Sequence, residues 1–97
     1  IEYNIYKLQM DTKPVTIQVQ KRSGSKYHTS IIGLASDLDI EKIMAYLKKK
    51  YKCNGFISND PKNGEVITLT GDQKENVYRF LVGEQIYKKD EILTRGL

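Results

Sequence analysis

Few residues of this chain could carry out covalent chemistry. His28 is the single histidine and Cys53 the single cysteine among 97 residues. Acid–base catalysis needs a group held against the reacting proton, and a reactive thiol needs a helix N-terminus or a cationic pocket. The sequence places His28 at the start of a strand and Cys53 at the end of a helix, where neither requirement is met. We therefore predict that the chain is not an enzyme.

Metal and cofactor chemistry have no better basis. No group of cysteines and histidines has the spacing of a metal site, and Gly71-Asp72 lacks the lysine and glycine pattern of a phosphate loop. The sequence therefore predicts no metal and no cofactor. A single cysteine cannot form an internal disulfide, which favours a reducing compartment such as the cytoplasm. No apolar run approaches the ~20 residues of a membrane span, so no membrane partner is expected.

Positive charge is the remaining chemical signal, and it is distributed unevenly. Residues 1–52 contain ten Lys/Arg and five Asp/Glu, whereas residues 53–97 contain six and seven. The basic residues form two clusters. One consists of Lys21, Arg22 and Lys26 around Gly24, and the other of Lys48, Lys49, Lys50 and Lys52 at the end of a predicted helix. Such cations displace counterions from phosphates, and glycine lets a backbone come close. The clusters favour an RNA-binding surface; a protein-interaction domain with solvated lysines is the alternative.

The elements that must hold these clusters follow from hydrophobic periodicity. Strict alternation predicts a strand over residues 15–20, and residues 27–34 return as its hairpin partner across a flexible Ser-Gly-Ser loop centre. Asp39 is the natural N-cap of a first helix. Its apolar stripe consists of Ile40, Ile43, Met44, Leu47 and Tyr51. This helix is predicted to end in the left-handed conformation at Asn54-Gly55.

A second hairpin follows the first helix. Residues 56–58 and 65–70 are predicted strands around the turn formers of residues 59–64. Proline fixes one turn angle there, and Asn63-Gly64 is a strong short hairpin signal.

A second helix and a closing strand complete the pattern. The helix is predicted from Gln73 to about Gln85, with Asp72 as its N-cap and Glu75 closing a capping box. Its buried stripe consists of Val77, Phe80 and Leu81. Residues 92–97 are predicted to form the last, short strand.

The element order β-β-α-β-β-α-β predicts an α+β fold. Two amphipathic helices need one apolar surface, so we expect a two-layer sandwich: a mixed sheet with both helices packed on one face. The other face of the sheet would stay open. Residues 15–97 are predicted to form one domain, and residues 1–14 an N-terminal tail or irregular extension.

Four segments in chain order carry a resemblance to a known family. They cover residues 17–24, 47–55, 60–69 and 71–81, and the ending at residues 94–97 fits as well. The most specific combination is Cys53-Asn54-Gly55 followed at the right distances by Gly64-Glu65-Val66-Ile67 and Gly71-Asp72-Gln73. On these residues the chain resembles the SUI1-domain family of eukaryotic translation initiation factors over residues 15–97.

The resemblance implies a binding protein of the small ribosomal subunit. Members of this family sit near the decoding site during scanning, oppose premature accommodation of initiator tRNA at wrong codons, and leave when a start codon is found. The first hairpin loop and first helix, which carry the two basic clusters, would face ribosomal RNA. The second hairpin loop, Asp60-Pro61-Lys62-Asn63, would approach the initiator tRNA. Other factors of the preinitiation complex are the remaining partners, and we expect a monomer.

The chain departs from the family pattern in two loops. The family loop is usually Asn-Gly-Arg-Lys, whereas this chain has Ser23-Gly24-Ser25-Lys26, one arginine fewer, which bears on affinity for the ribosome. The family often has an acidic residue after the proline of the second loop; Lys62 here would soften repulsion of tRNA phosphates.

Two alternative functions remain open for the chain. One is another SUI1-domain RNA-binding protein, of the reinitiation or density-regulated type, and the other is a non-ribosomal RNA-binding module.

Overall fold

The computed structural model describes residues 14–96 of the chain. The predicted order of strands and helices is confirmed, with one 3₁₀ turn inserted before the last strand. The elements are β1 (Val15–Ser23), β2 (Lys26–Ile32), α1 (Ile40–Tyr51), β3 (Gly55–Asp60), β4 (Gly64–Thr70), α2 (Lys74–Gly83), the 3₁₀ turn (Lys89–Glu91) and β5 (Ile92–Arg95). The predicted tail lies outside the described residues except for Pro14, so the domain boundary at residue 15 stays a prediction.

The strands form one mixed sheet of five strands in the order β3-β4-β2-β1-β5. β1 pairs antiparallel with β2, β2 with β4, and β4 with β3, whereas β5 lies parallel to β1. Parallel neighbours need a long crossover, and here it runs through all the intervening elements. The prediction of a mixed sheet is therefore correct, and β3 and β5 are its edges.

Both helices pack on the same face of this sheet. The alternation of β1 buries Val15 and Ile17 completely, and they belong to one core cluster with Leu47 of α1 and Leu81 of α2. The rings of Tyr46 and Phe80 are 5.1 Å apart, which places α1 beside α2. The predicted two-layer α+β arrangement is confirmed. Every second side chain of a strand points to the opposite face of the sheet, because strands alternate with a period of two.

The first helix ends differently from the prediction. Asp39 is its N-cap as expected, and its Oδ1 accepts a hydrogen bond from the Lys42 N–H at 3.1 Å. The left-handed residue at the other end is Lys52, with φ +51°, and not Asn54 or Gly55. Gly55 already belongs to β3, where a Cβ would lie 2.9 Å from the Thr68 carbonyl oxygen. Glycine at position 55 lets the backbones of β3 and β4 approach this closely. Gly55 is therefore a strand residue, and the left-handed residue that ends α1 comes earlier, at Lys52.

The predicted capping box of the second helix is wrong. Gln73 is the N-cap and makes no capping bond with its side chain, while Glu75 lies 3.8 Å from Arg79. The connection is fixed instead by Thr29, a buried residue of β2. Its hydroxyl donates to the Gly71 carbonyl at 2.8 Å and accepts from the Gln73 N–H at 2.8 Å. Asp72 lies one residue before the N-cap, and its Oδ1 accepts a hydrogen bond from the Lys74 N–H at 3.3 Å. The Gln73 N–H is bonded by a residue 44 positions away in the chain.

We predict a large loss of stability for Thr29→Val. Valine keeps the shape of this buried side chain but leaves the partly buried Gly71 carbonyl and Gln73 N–H without their partner, at about 1–3 kcal/mol each. We expect the free energy of unfolding in urea to fall by about 2–4 kcal/mol. Thr68→Val is the matched control, because its hydroxyl faces only Ser30 at 3.5 Å. Equal losses in the two variants would show that Thr29 does not hold the α2 connection.

Candidate nucleic-acid interface

The first basic cluster lies on the strands of the β1–β2 hairpin and not in its turn. The β1–β2 ladder continues to the pair Ser23 and Lys26, leaving Gly24 and Ser25 as the turn. Gly24 has φ +54° and Ser25 does not have a positive φ, as expected for a tight two-residue hairpin turn. The register shifts between Lys21 and Ser23, so the strand bulges at the residue between them. The hairpin therefore projects its cations on a paired scaffold.

The second basic cluster is divided between two sides of α1. Lys48 is half-buried, and its Cγ would lie 3.6 Å from a Cβ at Gly55, so it leans towards β3. Lys50 is exposed on another side, with Nζ 5.9 Å from the centre of the Tyr46 ring. Lys49 and Lys52 are exposed as well. The lysines thus cover a wide arc of the helix end instead of a single strip.

The sheet brings the two clusters to the same end of the molecule. Gly55 pairs with Leu69, Leu69 with Thr29, and Thr29 with Val19, which defines one row across four strands. β1 and β2 continue beyond this row into the basic hairpin, and α1 ends just before Gly55. We call this the basic end, defined by Lys21, Arg22, Lys26, Lys48, Lys49, Lys50 and Lys52.

The second hairpin loop lies at the opposite end of the sheet. Asp60 pairs with Gly64, five residues along β4 from Leu69. At about 3.4 Å per residue, the loop is about 17 Å from the row that marks the basic end. The predicted RNA-facing residues and the predicted tRNA-facing loop are therefore separated by the length of the sheet.

The second hairpin loop is pinned by Asp60. Its Oδ1 accepts a hydrogen bond from the Lys62 N–H at 2.8 Å, and its Oδ2 accepts one from Nδ2 of Asn63 at 3.1 Å. Gly64 takes φ +77° and Asn63 does not, so Pro61, Lys62 and Asn63 form a three-residue loop closed by glycine. The Asn-Gly signal located the hairpin, but asparagine is not one of its left-handed residues.

These hydrogen bonds change the titration of the loop. The one from the Lys62 backbone, followed by the one from Asn63, holds the pKa of the Asp60 carboxyl below its usual value. Because the pKa is lower in the folded hairpin than in the unfolded chain, the carboxylate favours the folded loop at neutral pH. That contribution is lost as the pH falls through the lowered pKa.

Comparisons with known proteins identify the family. Residues 11–87 match the family described as translation initiation factor SUI1. The chain is 45% identical over 82 residues to a protein translation factor SUI1 homolog of Salix bakko, covering 84% of this chain and 73% of that protein. It is 40% identical over 82 residues to eukaryotic translation initiation factor 1 of Homo sapiens, with the same coverage. The chain belongs to the SUI1 family of translation initiation factors.

A solved structure supports the fold of this SUI1 chain. The C-terminal domain of human eIF2D superimposes with a TM-score of 0.76 and 21% identity, covering 86% of this chain and 43% of that one. At this identity the likeness concerns the fold alone. The family match ends at residue 87, before β5, so the parallel edge strand lies beyond it.

The structure places the two residues weighed for catalysis, His28 and Cys53, on β2 and just after α1 of this SUI1 domain. The half-buried His28 ring has Nε2 3.3 Å from Oε1 of Gln20, its cross-strand partner on β1. Burial raises the pKa of the Cys53 thiol more than nearby Lys48 lowers it, which disfavours the reactive thiolate. Within residues 14–96, no group of three or more histidine, cysteine, aspartate or glutamate side chains could hold a metal.

One exposed aromatic residue beside the basic end was not among the predicted site residues. Tyr46 is 42% exposed and lies on α1 between Lys42 and Lys50, one helical turn from each. Its i, i+4 spacing to both lysines was a visible signal, because residues four apart share a helix face.

None of the helices in the described part of the chain is long and apolar enough to cross a membrane.

Proposed function

We propose that this SUI1 protein binds the small ribosomal subunit near the decoding site and enforces start-codon selection during scanning. The basic end would hold ribosomal RNA, and the second hairpin loop would oppose premature accommodation of initiator tRNA. The proposal places the protein in the cytoplasm as a monomer that acts beside other factors of the preinitiation complex. Family membership supports the role in translation initiation, and the position of the basic end and the second hairpin loop at opposite ends of the sheet supports the proposed assignment of surfaces.

The separation of the two surfaces is the observation that carries this proposal. A factor anchored to ribosomal RNA at one end can present a group to a second ligand only if that group remains outside the RNA contact. Here the second loop lies about 17 Å from the basic end along the strands. RNA binding at the basic end therefore leaves Pro61 and Lys62, both exposed, accessible to another partner.

The second loop is suited to act as a fixed obstacle. Its proline restricts one backbone angle, and the two hydrogen bonds to Asp60 close the loop on itself. A preorganised loop loses little conformational freedom when another molecule presses against it. Initiator tRNA that moves fully into its site would have to displace the factor or the loop, which raises the free energy of the closed state at a wrong codon.

Competition on the small subunit tests the binding part of the proposal. Labelled human eukaryotic translation initiation factor 1 is bound to purified small subunits, and this protein is titrated in. We expect complete displacement of the label, because two SUI1 domains cannot occupy one site. Binding without displacement would place the chain elsewhere on the subunit and contradict the proposal.

The charge of the second loop gives a prediction for stringency. Lys62→Glu places a like charge before the tRNA phosphates, worth about 1 kcal/mol at a partly exposed contact, or roughly fivefold in the balance of open and closed states. We expect initiation at near-cognate codons to fall about fivefold relative to AUG, while subunit binding changes by less than about twofold. Lys89→Glu is the control, an equal charge reversal beside the opposite edge strand. An unchanged or increased near-cognate ratio for Lys62→Glu would show that loop charge does not control closure.

A further inference from the structure

A ridge of α1 combines an aromatic ring with lysines. Lys42, Tyr46 and Lys50 follow one another at intervals of four residues, so they lie along one side of the helix. All three side chains are exposed. We call them the Tyr46 ridge. The ridge borders the basic end. Its side chains do not form part of the buried core, to which α1 contributes Ile40 and Leu47.

The Tyr46 ring is held in place by the second helix. Its centre is 5.1 Å from that of Phe80, with 30° between the ring planes, and Phe80 in turn packs against the core. Aromatic pairs at this separation attract one another. Tyr46 nevertheless keeps 42% of its surface exposed. A ring that is oriented before binding and still open to solvent loses little freedom when it takes a further partner.

The residues around the ring favour RNA over a protein partner. Lysine is depleted from the centres of protein–protein interfaces, whereas a ring among lysines is the usual composition of a single-strand binding surface. Lys50 Nζ lies 5.9 Å from the ring centre, near the outer limit of a cation–π contact. Lys50 can therefore leave the ring for a phosphate when a base arrives.

We propose that Tyr46 stacks on an unpaired base of the bound RNA while Lys42 and Lys50 contact the flanking phosphates. This inference rests on the proposed RNA-binding function of the basic end and adds a base contact to a surface otherwise made of cations. Stacking tolerates every base because each has a π face. The site therefore selects unpaired over paired RNA without selecting a sequence.

An abasic oligonucleotide separates stacking from charge. Affinities are measured at low salt for a single-stranded oligouridylate and for an abasic strand with the same number of phosphates. We expect the wild-type protein to prefer the strand with bases about five- to tenfold, from the low end of base–aromatic stacking. Tyr46→Leu should abolish this preference and leave the affinity for the abasic strand unchanged, whereas Tyr46→Phe should retain it.

Phe56→Leu is the matched control for an exposed aromatic. Phe56 is 59% exposed on β3, outside the Tyr46 ridge, and its replacement should leave the preference intact. A preference that survives Tyr46→Leu, or that is absent from the wild-type protein, overturns the stacking site. Thermal unfolding of each variant shows whether it is folded. If Tyr46→Leu is not folded, the preference for the strand with bases is measured for Tyr46→Ser, and the same outcomes apply to that variant.

Binding to isolated small subunits distinguishes this inference from the proposed function. We expect Tyr46→Leu to bind subunits about fivefold more weakly than the wild-type protein. If subunit affinity falls while the preference for bases is unchanged, the ring contacts a ribosomal protein and the stacking site is wrong. If the wild-type protein does not bind subunits but Tyr46 still governs the preference for bases, the proposed function fails and the stacking site stands.

Discussion

Replacing Lys21, Arg22 and Lys26 together by alanine is expected to lower affinity for the small ribosomal subunit about a hundredfold. The three cations lie on the paired β1–β2 hairpin, so each can be held against a phosphate without ordering a flexible loop. At about 1 kcal/mol for each exposed contact, the three together correspond to about two powers of ten. The slope of log affinity against log salt should also fall by about three.

A matched triple variant controls for net charge. Arg79, Lys88 and Lys89 are exposed and lie outside the basic end, and their replacement by alanine removes the same charge. We expect this control to change subunit affinity by less than about threefold, through long-range attraction alone. Thermal unfolding verifies that both triple variants are folded. Equal losses of affinity would mean that the RNA-facing surface is misassigned.

Salt is expected to weaken subunit binding by about a thousandfold between 50 and 200 mM. Neutralising ~6 phosphates gives a slope of about −5, and a fourfold rise in salt then removes about three powers of ten. The cations of the basic end are sufficient for this number of contacts. Affinity is measured by titration at four or more salt concentrations.

Two observations separate this salt effect from general loss of binding. The triple variant of the first hairpin should show a shallower slope than the wild-type protein at every salt concentration. The competing human factor serves as an internal reference on the same subunits. Affinity that stays flat across this range would contradict the electrostatic account, because shape and apolar contacts do not depend on salt in this way.

The sequence predicted the elements whose signals are local. Alternation of Val15, Ile17 and Val19 located β1, and all three are buried. The stripe of α1 was also found by its spacing, with Asp39 as its cap. Such patterns depend only on the period of the backbone and on which face is buried, so they survive without knowledge of the partner elements.

The errors came where a distant contact replaced a local preference. Gly55 fits a left-handed turn by composition, but Leu69 and Thr68 approach so closely that it serves as a strand residue. Asp72 and Glu75 fit a capping box, but Asp72 bonds the Lys74 N–H alone, and Thr29 from β2 bonds the Gly71 carbonyl and the Gln73 N–H. Tertiary packing outweighs a local propensity of about 1 kcal/mol, and only the assembled sheet shows which contact forms.

The candidate site was predictable in composition but not in arrangement. The basic residues were evident from charge, and their proposed role still depends on the experiments above. The end of the sheet at which each cluster lies follows from the strand pairing.

Tyr87 is a core residue that depends on a distant contact. Its hydroxyl accepts a hydrogen bond from the Ala35 N–H at 3.0 Å, across 52 residues. Burial raises the pKa of this phenol, and no pattern in the sequence marked it as a core residue.

Start-codon selection by this SUI1 protein can be measured in a reconstituted scanning system. The ratio of initiation at a near-cognate codon to initiation at AUG is measured without a SUI1 factor and after addition of this protein at saturating concentration. We expect the ratio to fall on addition of the wild-type protein and to stay at its starting value when the triple alanine variant of Lys21, Arg22 and Lys26 is added at the same concentration. A ratio that stays unchanged while the protein is bound to the subunit would show that the protein does not enforce start-codon selection.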